Sequence, residues 1–499
     1  MAGPPYVAGV RPSVAIVGSG FSGIGLAIRL RMAGITDITI FEKADSIGGV
    51  WRDNTYPGAA CDAPSHLYSY SFAPNPGWSR RFAEQPEILA YLKACADRYG
   101  VTELVRFGTE VTEAEFDATA GSWTIRTRDG GTHTADLFVA ACGQLSRPAY
   151  PDIPGLDGFA GTVFHSARWD HEHDLTGEDV AVIGNGASAV QFVPIIAGQA
   201  GRLRIFQRTP NWVGAKFDKV YRPWRRAANR RVPGLQTASR LGIFALFEWA
   251  LNPMLVAPRG RRALSAHVRA LCHAGLRTVR DERLRAALEP PYEVGCKRIL
   301  LSGDYYPALN RPNVHVVTDP IAKVTADAVV TADGTEHPAS TIILATGFRS
   351  HDFLSPIRVT GLGGRRLEEE WRDGPSAYLG LGVPGFPNFF LMYGPNTNLG
   401  SGSIVHMLES QISYIVQAAK LLRGGVRYLD LRRDVMEAFD RKVRRRLGTS
   451  VWNAGGCDSW YVREGADGAR RNTNNWPGFM LGYRRATRRL DPRDYRLVG

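Results

Sequence analysis

Apolar and polar positions along this chain repeat one unit twice. In "SVAIVGSGFSGIGLAIRLRMAG" (13–34) a β-branched apolar run enters a glycine turn and then apolar positions at helical spacing. The pattern predicts a buried strand, a tight turn and a helix, with a second strand in "DITIFE" (37–42). The same order returns in "DVAVIGNGASAVQFV" (179–193) and "RLRIFQRTP" (202–210). Two later runs, "TIILATGF" (341–348) and "FFLMYGPNTNLGSGS" (389–403), predict strands ending in small-residue loops that let backbone approach a planar group. The most apolar stretch, "LGIFALFEWALNPMLVA" (241–257), is interrupted by Glu248, Asn252 and Pro253. It is short for a membrane span and predicts a buried or interfacial helix.

Both glycine turns carry chemistry. Gly18, Gly20 and Gly23, with Ser22 among them, fit G-x-G-x-x-G between a strand and a helix. Such a turn brings backbone N–H groups and a helix N-terminus to a pyrophosphate. Glu42 lies 22 residues past Gly20, near the ~20 expected of a carboxylate on an adenosine ribose. The second turn has Gly184 and Gly186, then Ala187, Ser188 and, in the third place, Ala189. Its following strand ends in Arg208 and Thr209 rather than in an acid. An arginine there pairs with a 2′-phosphate that a carboxylate would repel, which favours NADPH over NADH. Two cradles mean two dinucleotides, most simply FAD and NADPH. The expected fold class is α/β, with two Rossmann-like dinucleotide-binding domains, the NADPH domain carrying a helical insertion.

Ahead of the second cradle stands "GFAGTVFHSARWD" (158–170), with Phe159, Gly161, His165, Trp169 and Asp170 at fixed offsets. This resembles the F-x-G-x-x-x-H-x-x-x-W-(P/D) fingerprint of type I Baeyer–Villiger monooxygenases. The resemblance extends over "GGVWRDNTYPGAACDAPSHLYSYSF" (48–72), "CKRILLSGDYYPALNRPNVHVV" (296–317), "GPNTNLG" and "GGCDSWY" (455–461), and residues 62–72 look most like the hydroxyacetophenone-monooxygenase branch. It implies an FAD- and NADPH-dependent enzyme in which reduced flavin and O2 give a C4a-peroxyflavin. That species attacks a ketone, and the adduct rearranges to an ester or lactone. It further implies that Arg298 stabilises the anionic peroxide and that Asp62 positions Arg298. Lys297 becomes a second 2′-phosphate contact, while Trp51, Tyr68 and Val111 match positions lining FAD. The fingerprint His and Trp are implied to be a joint between cofactor domains. Ala60 stands where the family commonly has arginine.

By these signals residues 1–148 are the first part of the FAD domain and 149–215 the first part of the NADPH domain. Residues 216–292 are the helical insertion, 293–384 the second part of the NADPH domain with a linker, and 385–499 the rest of the FAD domain. Lys and Arg number 61 against 48 Asp and Glu, a net charge of +13. The excess is dispersed, with clusters at 221–231, 441–446 and from Arg484 to Arg496, and without nucleic-acid-binding motifs it reads as solvated surface. Cysteines 61, 95, 142, 272, 296 and 457 form no C-x-x-C, so neither a disulfide framework nor a zinc site is expected. "HEHD" (171–174) matches no metal motif, and no metal is expected. The N-terminus lacks a signal-like apolar region, which points to a reduced, cytoplasmic protein. Aromatics Trp371, Tyr393, Trp460 and Tyr461 read as pocket lining or as core. The rival readings are an N- or S-oxygenating flavin monooxygenase, a disulfide reductase and a non-enzymatic flavin sensor. Substrate identity and oligomeric state are not legible.

Overall fold

The computed structural model describes residues 11–354, 356–465 and 468–499, with backbone alone for 258–261. The N-terminal stretch read as lacking a signal falls mostly outside them. Val14–Val17 forms the centre of a five-stranded parallel sheet because its four residues are buried on both faces. Around it the order is Phe389–Leu391, Leu137–Ala140, Val14–Val17, Ile38–Phe41, Val105–Arg106. A second parallel sheet runs Val314–Val317, Arg202–Phe206, Asp179–Ile183, Thr341–Leu344, Thr162–His165. Helices Phe21–Met32 and Ala187–Ile196 follow the two glycine turns. The architecture is therefore α/β with two Rossmann-like units. A mainly antiparallel four-stranded sheet packs on the first unit, and its edge strand Arg358–Thr360 pairs with Val111–Asp117.

Two chain crossings join the units, and they run side by side. Pro148 bridges Phe348, and Ala149 N donates to Gly347 O at 2.9 Å. The ring of His165, at the end of its strand, sits 5.6 Å from Tyr150 and 6.0 Å from Phe348, one on each crossing. Trp169 packs 5.2 Å from Phe192 on the helix of the second turn, and Tyr56 of the first unit meets Phe192 from another side at 6.0 Å.

The insertion is helical: Pro223–Arg231, Leu235–Ala245, a π-helical turn at Leu246–Leu251, Asn252–Val256, Pro258–Leu276 and Glu282–Ala287. Its apolar stretch divides, as Met254 and Leu255 are buried whereas Leu241, Leu246 and Trp249 are exposed. Glu248 is buried and accepts from Met480 N at 2.9 Å and Leu481 N at 2.7 Å, capping helix Met480–Thr487. Arg240 anchors the insertion to the first unit through Ser69 O at 2.7 Å and Glu409 Oε2 at 3.3 Å. No helix of the described residues is long and apolar enough to cross a membrane.

The cysteine expectation requires correction. Cys296 and Cys457 are disulfide-bonded across 161 residues of sequence, with Cα atoms 6.1 Å apart. Spacing alone could not expose this, since the pair meets only when the loop after Ser450 returns to the strap before Lys297. Glu293 N donating to Gly455 O at 3.0 Å fixes that return. Under oxidising conditions Cys457→Ser should lower stability by about 2–4 kcal/mol. In excess reductant wild type and variant should melt together; a gap that survives reductant would mean that no bond is formed.

Three buried histidines sit at seams between parts. His66 meets Ser239 Oγ of the insertion at 2.9 Å, His406 packs 4.8 Å from Phe244, and His165 lies between the crossings. Burial holds each ring at a pKa of about 4, aided by Arg225 at His66 and Arg240 at His406. These are folded-state values below the unfolded one near 6.5, so the unfolded chain takes up protons first. Stability is fully present above about pH 6.5 and falls as pH drops toward 4, by on the order of 1–3 kcal/mol per ring. A melting temperature that is level across that window would contradict this.

Candidate active site

The first turn is built to bring backbone to a ligand. Gly18 has φ +104°, and a Cβ on it would sit 2.7 Å from Ala141 O. Glu42 is buried at the end of the neighbouring strand, where it accepts from Ser19 N at 2.9 Å, Ser19 Oγ at 2.7 Å and Ala44 N at 3.1 Å. Arg52 Nη1 stands 3.2 Å from the same carboxylate. Trp51 Nε1 donates to Tyr68 OH at 3.1 Å, and Tyr68 meets Phe21 at 5.0 Å, so these rings gather beside the first turn of the helix that holds Ser22. Val111 packs in the cluster beneath the sheet that contains Val17 and Phe41. Gln144 Oε1 is buried without a hydrogen-bond partner among the described residues, and a Cβ on Gly143 would meet no atom. An orphaned acceptor beside an open glycine, at the carboxyl edge of the sheet, fits a flavin nucleotide.

The second turn differs where its ligand differs. Gly184 repeats the first turn's geometry, with φ +106° and a hypothetical Cβ 2.6 Å from Ala345 O. Gly23 has no room for a Cβ beside Gly18 O, whereas Ala189 is accommodated in the core. A Cβ on Gly186 would meet no protein atom, and Ala187 and Ser188 open the helix behind it. Arg208 is exposed at the strand end, with Thr209 O accepting from Asn185 Nδ2 at 3.1 Å. Lys297 lies over the Tyr292 ring at 5.2 Å, and its pKa is lowered by burial and then by the charge of Arg208. Two cations that repel each other there fit a phosphate.

Between the cradles four polar side chains from separate parts of the chain converge. Gln191 Nε2 stands 3.3 Å from Asp62 Oδ1, and Lys216 Nζ stands 3.8 Å from the same atom. Gln191 also binds Ala60 O at 3.1 Å, bracing the segment where the family commonly has arginine. Burial would lower the pKa of Arg298, but Asp62, and after it Tyr461, Cys61 and Tyr393, raise it overall. Burial pushes the Cys61 thiol and the Tyr461 hydroxyl up to about 12. Arg298 therefore stands among a neutral thiol and a neutral hydroxyl, with Asp62 and Lys216 as the ionic side chains beside it.

Asp62, Lys297 and Arg298 line a cavity of about 1050 Å³. Its walls are mostly apolar and come largely from the insertion, including Ile243, Phe247, Leu251, Met254 and Leu255. Tyr393 and Tyr461 stand near Arg298 instead, and the ring of Trp460 packs at a tilt on Tyr461, 4.4 Å away. Trp371 packs on Phe353 in the first unit's periphery. His171 and His173 of "HEHD" hydrogen-bond to Thr55 at 2.8 Å and Thr341 at 2.7 Å. Sequence reasoning missed Arg52, Gln191 and Lys216. Only Gln191 left a signal, as the one amide in the apolar helix "ASAVQFVPII".

Comparison with known proteins places this arrangement. The FMO-like family model, described as flavin-binding monooxygenase-like, matches residues 11–246. A Baeyer–Villiger monooxygenase of Streptomyces coelicolor is 46% identical over 487 residues, covering 97% of this chain and 92% of its own. The chain belongs to the Baeyer–Villiger monooxygenases. Among solved structures, an oxidised steroid monooxygenase bound to NADP superposes with a TM-score of 0.85 at 32% identity, covering 98% of this chain and 99% of its own. OTEMO in complex with FAD and NADP superposes at 0.86 with 28% identity over 98% and 99%. This Baeyer–Villiger monooxygenase is thus an NADPH-dependent flavoprotein with FAD and NADPH as cofactors, which sets aside the reductase and sensor readings.

Arg208→Ala should raise KM for NADPH about tenfold or more while leaving KM for NADH within about twofold. Steady-state kinetics with both nucleotides checks this, and equal losses would remove the phosphate contact.

Proposed function

We propose that the enzyme inserts one oxygen atom of O2 beside the carbonyl of a bulky, apolar ketone, giving an ester or lactone, with Arg298 and Asp62 as its catalytic residues. When bound, FAD reduced by NADPH would supply the electrons that activate O2, one atom of which is inserted while the other leaves as water. The protein's part is electrostatic. Arg298 keeps its proton through every step and holds a positive charge where anionic oxygen must be stabilised. Asp62, gripped by Gln191 and Lys216, fixes where that charge stands. The observation that carries this reading is the Arg298–Asp62 couple in the wall of a mostly apolar cavity.

The size and lining of the cavity support a bulky, apolar substrate. In the same reading the Gly18, Gly20, Ser22, Gly23, Glu42, Trp51, Tyr68 and Val111 set serves FAD. Gly184, Gly186, Ala187, Ser188, Ala189, Arg208, Thr209 and Lys297 serve NADPH. Phe159, Gly161, His165 and Trp169 form the joint, supported by the packing of His165 on both crossings. Dependence on NADPH supports a cytoplasmic setting.

Arg298→Ala should cut ester formation by about 100-fold or more while flavin bleaching by NADPH stays within about threefold of wild type. Product chromatography and anaerobic stopped-flow absorbance measure the two separately. Near-normal ester formation would mean that another group carries the charge.

A further inference from the structure

More than half of the exposed large hydrophobic side chains among the described residues fall between Phe217 and Leu271. They are not scattered. Phe217, Val220 and Trp224 are each 65% exposed, and Leu246 and Leu271 are 56% and 44% exposed. All five line the same cavity as Asp62 and Arg298, and their exposure makes them its rim. Trp249, on the π-helical turn that carries Leu246, adds an indole 63% exposed. Apolar rims of this kind on a protein surface mark a site of contact.

The charge around the rim selects the partner. Between Lys219 and Arg277 the sole acidic residue is Glu248, which is buried and consumed in capping Met480–Thr487. Lys219, Arg222 and Arg225 line the mouth itself, and Arg230 and Arg231 are exposed on the helix that bears Trp224. A second copy docking face to face would bring arginine against arginine, since a twofold interface pairs each patch with itself. An anionic lipid surface meets every requirement at once. It offers charge to Lys and Arg, an interface for Trp, and an apolar interior continuous with an apolar cavity.

From this juxtaposition we infer that the helical insertion docks on anionic bilayers, seating the cavity mouth in the lipid so that lipophilic ketone enters from the membrane. The docking is peripheral, and the inference about ketone transfer rests on the function proposed above. A substrate that partitions into lipid would then reach Arg298 without crossing water, and the exposed rim would be covered when the enzyme is at work.

Vesicle flotation of the FAD-loaded enzyme tests this. It should float with phosphatidylcholine vesicles containing about one third phosphatidylglycerol and not with phosphatidylcholine alone. Raising salt from about 50 to about 500 mM should release it. The double variant R230E/R231E should bind at least about tenfold less, and Trp249→Ser should also weaken binding, both with unchanged melting temperature. Soluble polyglutamate at equal charge should not displace the enzyme. Failure to float with either vesicle, unchanged flotation of R230E/R231E, or displacement by polyglutamate would overturn the inference, the last in favour of an acidic protein partner. NADPH oxidation driven by a water-miscible ketone is read in parallel. Ketone oxidation without flotation sinks the docking alone, whereas flotation without ketone oxidation sinks the functional reading and with it the ketone route.

Discussion

A guanidinium held charged in the wall of an apolar cavity is the constraint on which the rest of this structure depends. Withdrawing an ion from water is expensive, and a counter-charge held in fixed geometry offsets that cost. Here the counter-charge is Asp62, and no single domain supplies its setting. Asp62 comes from the first unit, Gln191 from the helix behind the second glycine turn, Lys216 from the start of the insertion, and Arg298 from the strap that returns to the second sheet. The charge cluster can exist only when all four parts are docked. That links folding and the proposed chemistry in one place.

The two cradles illustrate how one local solution is adjusted for two ligands. Both first glycines take positive φ and both abut a carbonyl on the neighbouring strand, Ala141 O in one case and Ala345 O in the other. The divergence lies at the end of the next strand. Glu42 is drawn inward by Ser19 and Arg52, whereas Arg208 stands exposed opposite Lys297. A buried carboxylate and a pair of cations, one exposed and one half-buried, are opposite electrostatic environments set on nearly identical backbones.

Much of this was legible in the chain because it is local. Strand, turn and helix around Gly18 and Gly184 follow from hydrophobic period and glycine spacing, and three strands of each parallel sheet formed where apolar runs predicted them. What was not legible is what depends on distant approach. The Cys296–Cys457 bond joins residues too far apart for any spacing rule, and Lys216 becomes a partner of Asp62 only once the insertion folds back. The cavity walls likewise come from insertion residues whose helical pattern gave no hint of which face would line it. Glu248, which looked like an interruption of an apolar helix, proves to be a cap for another helix.

Whether oxygen from O2 ends up beside a ketone carbonyl is decided by an incubation under heavy-isotope-labelled O2. The enzyme, NADPH and an apolar ketone are incubated under labelled O2 and the product is analysed by mass spectrometry. The account predicts an ester or lactone carrying one labelled atom in its ring or bridging oxygen, with one NADPH consumed for each. Label recovered only in hydrogen peroxide, with the ketone returned unchanged, would contradict it.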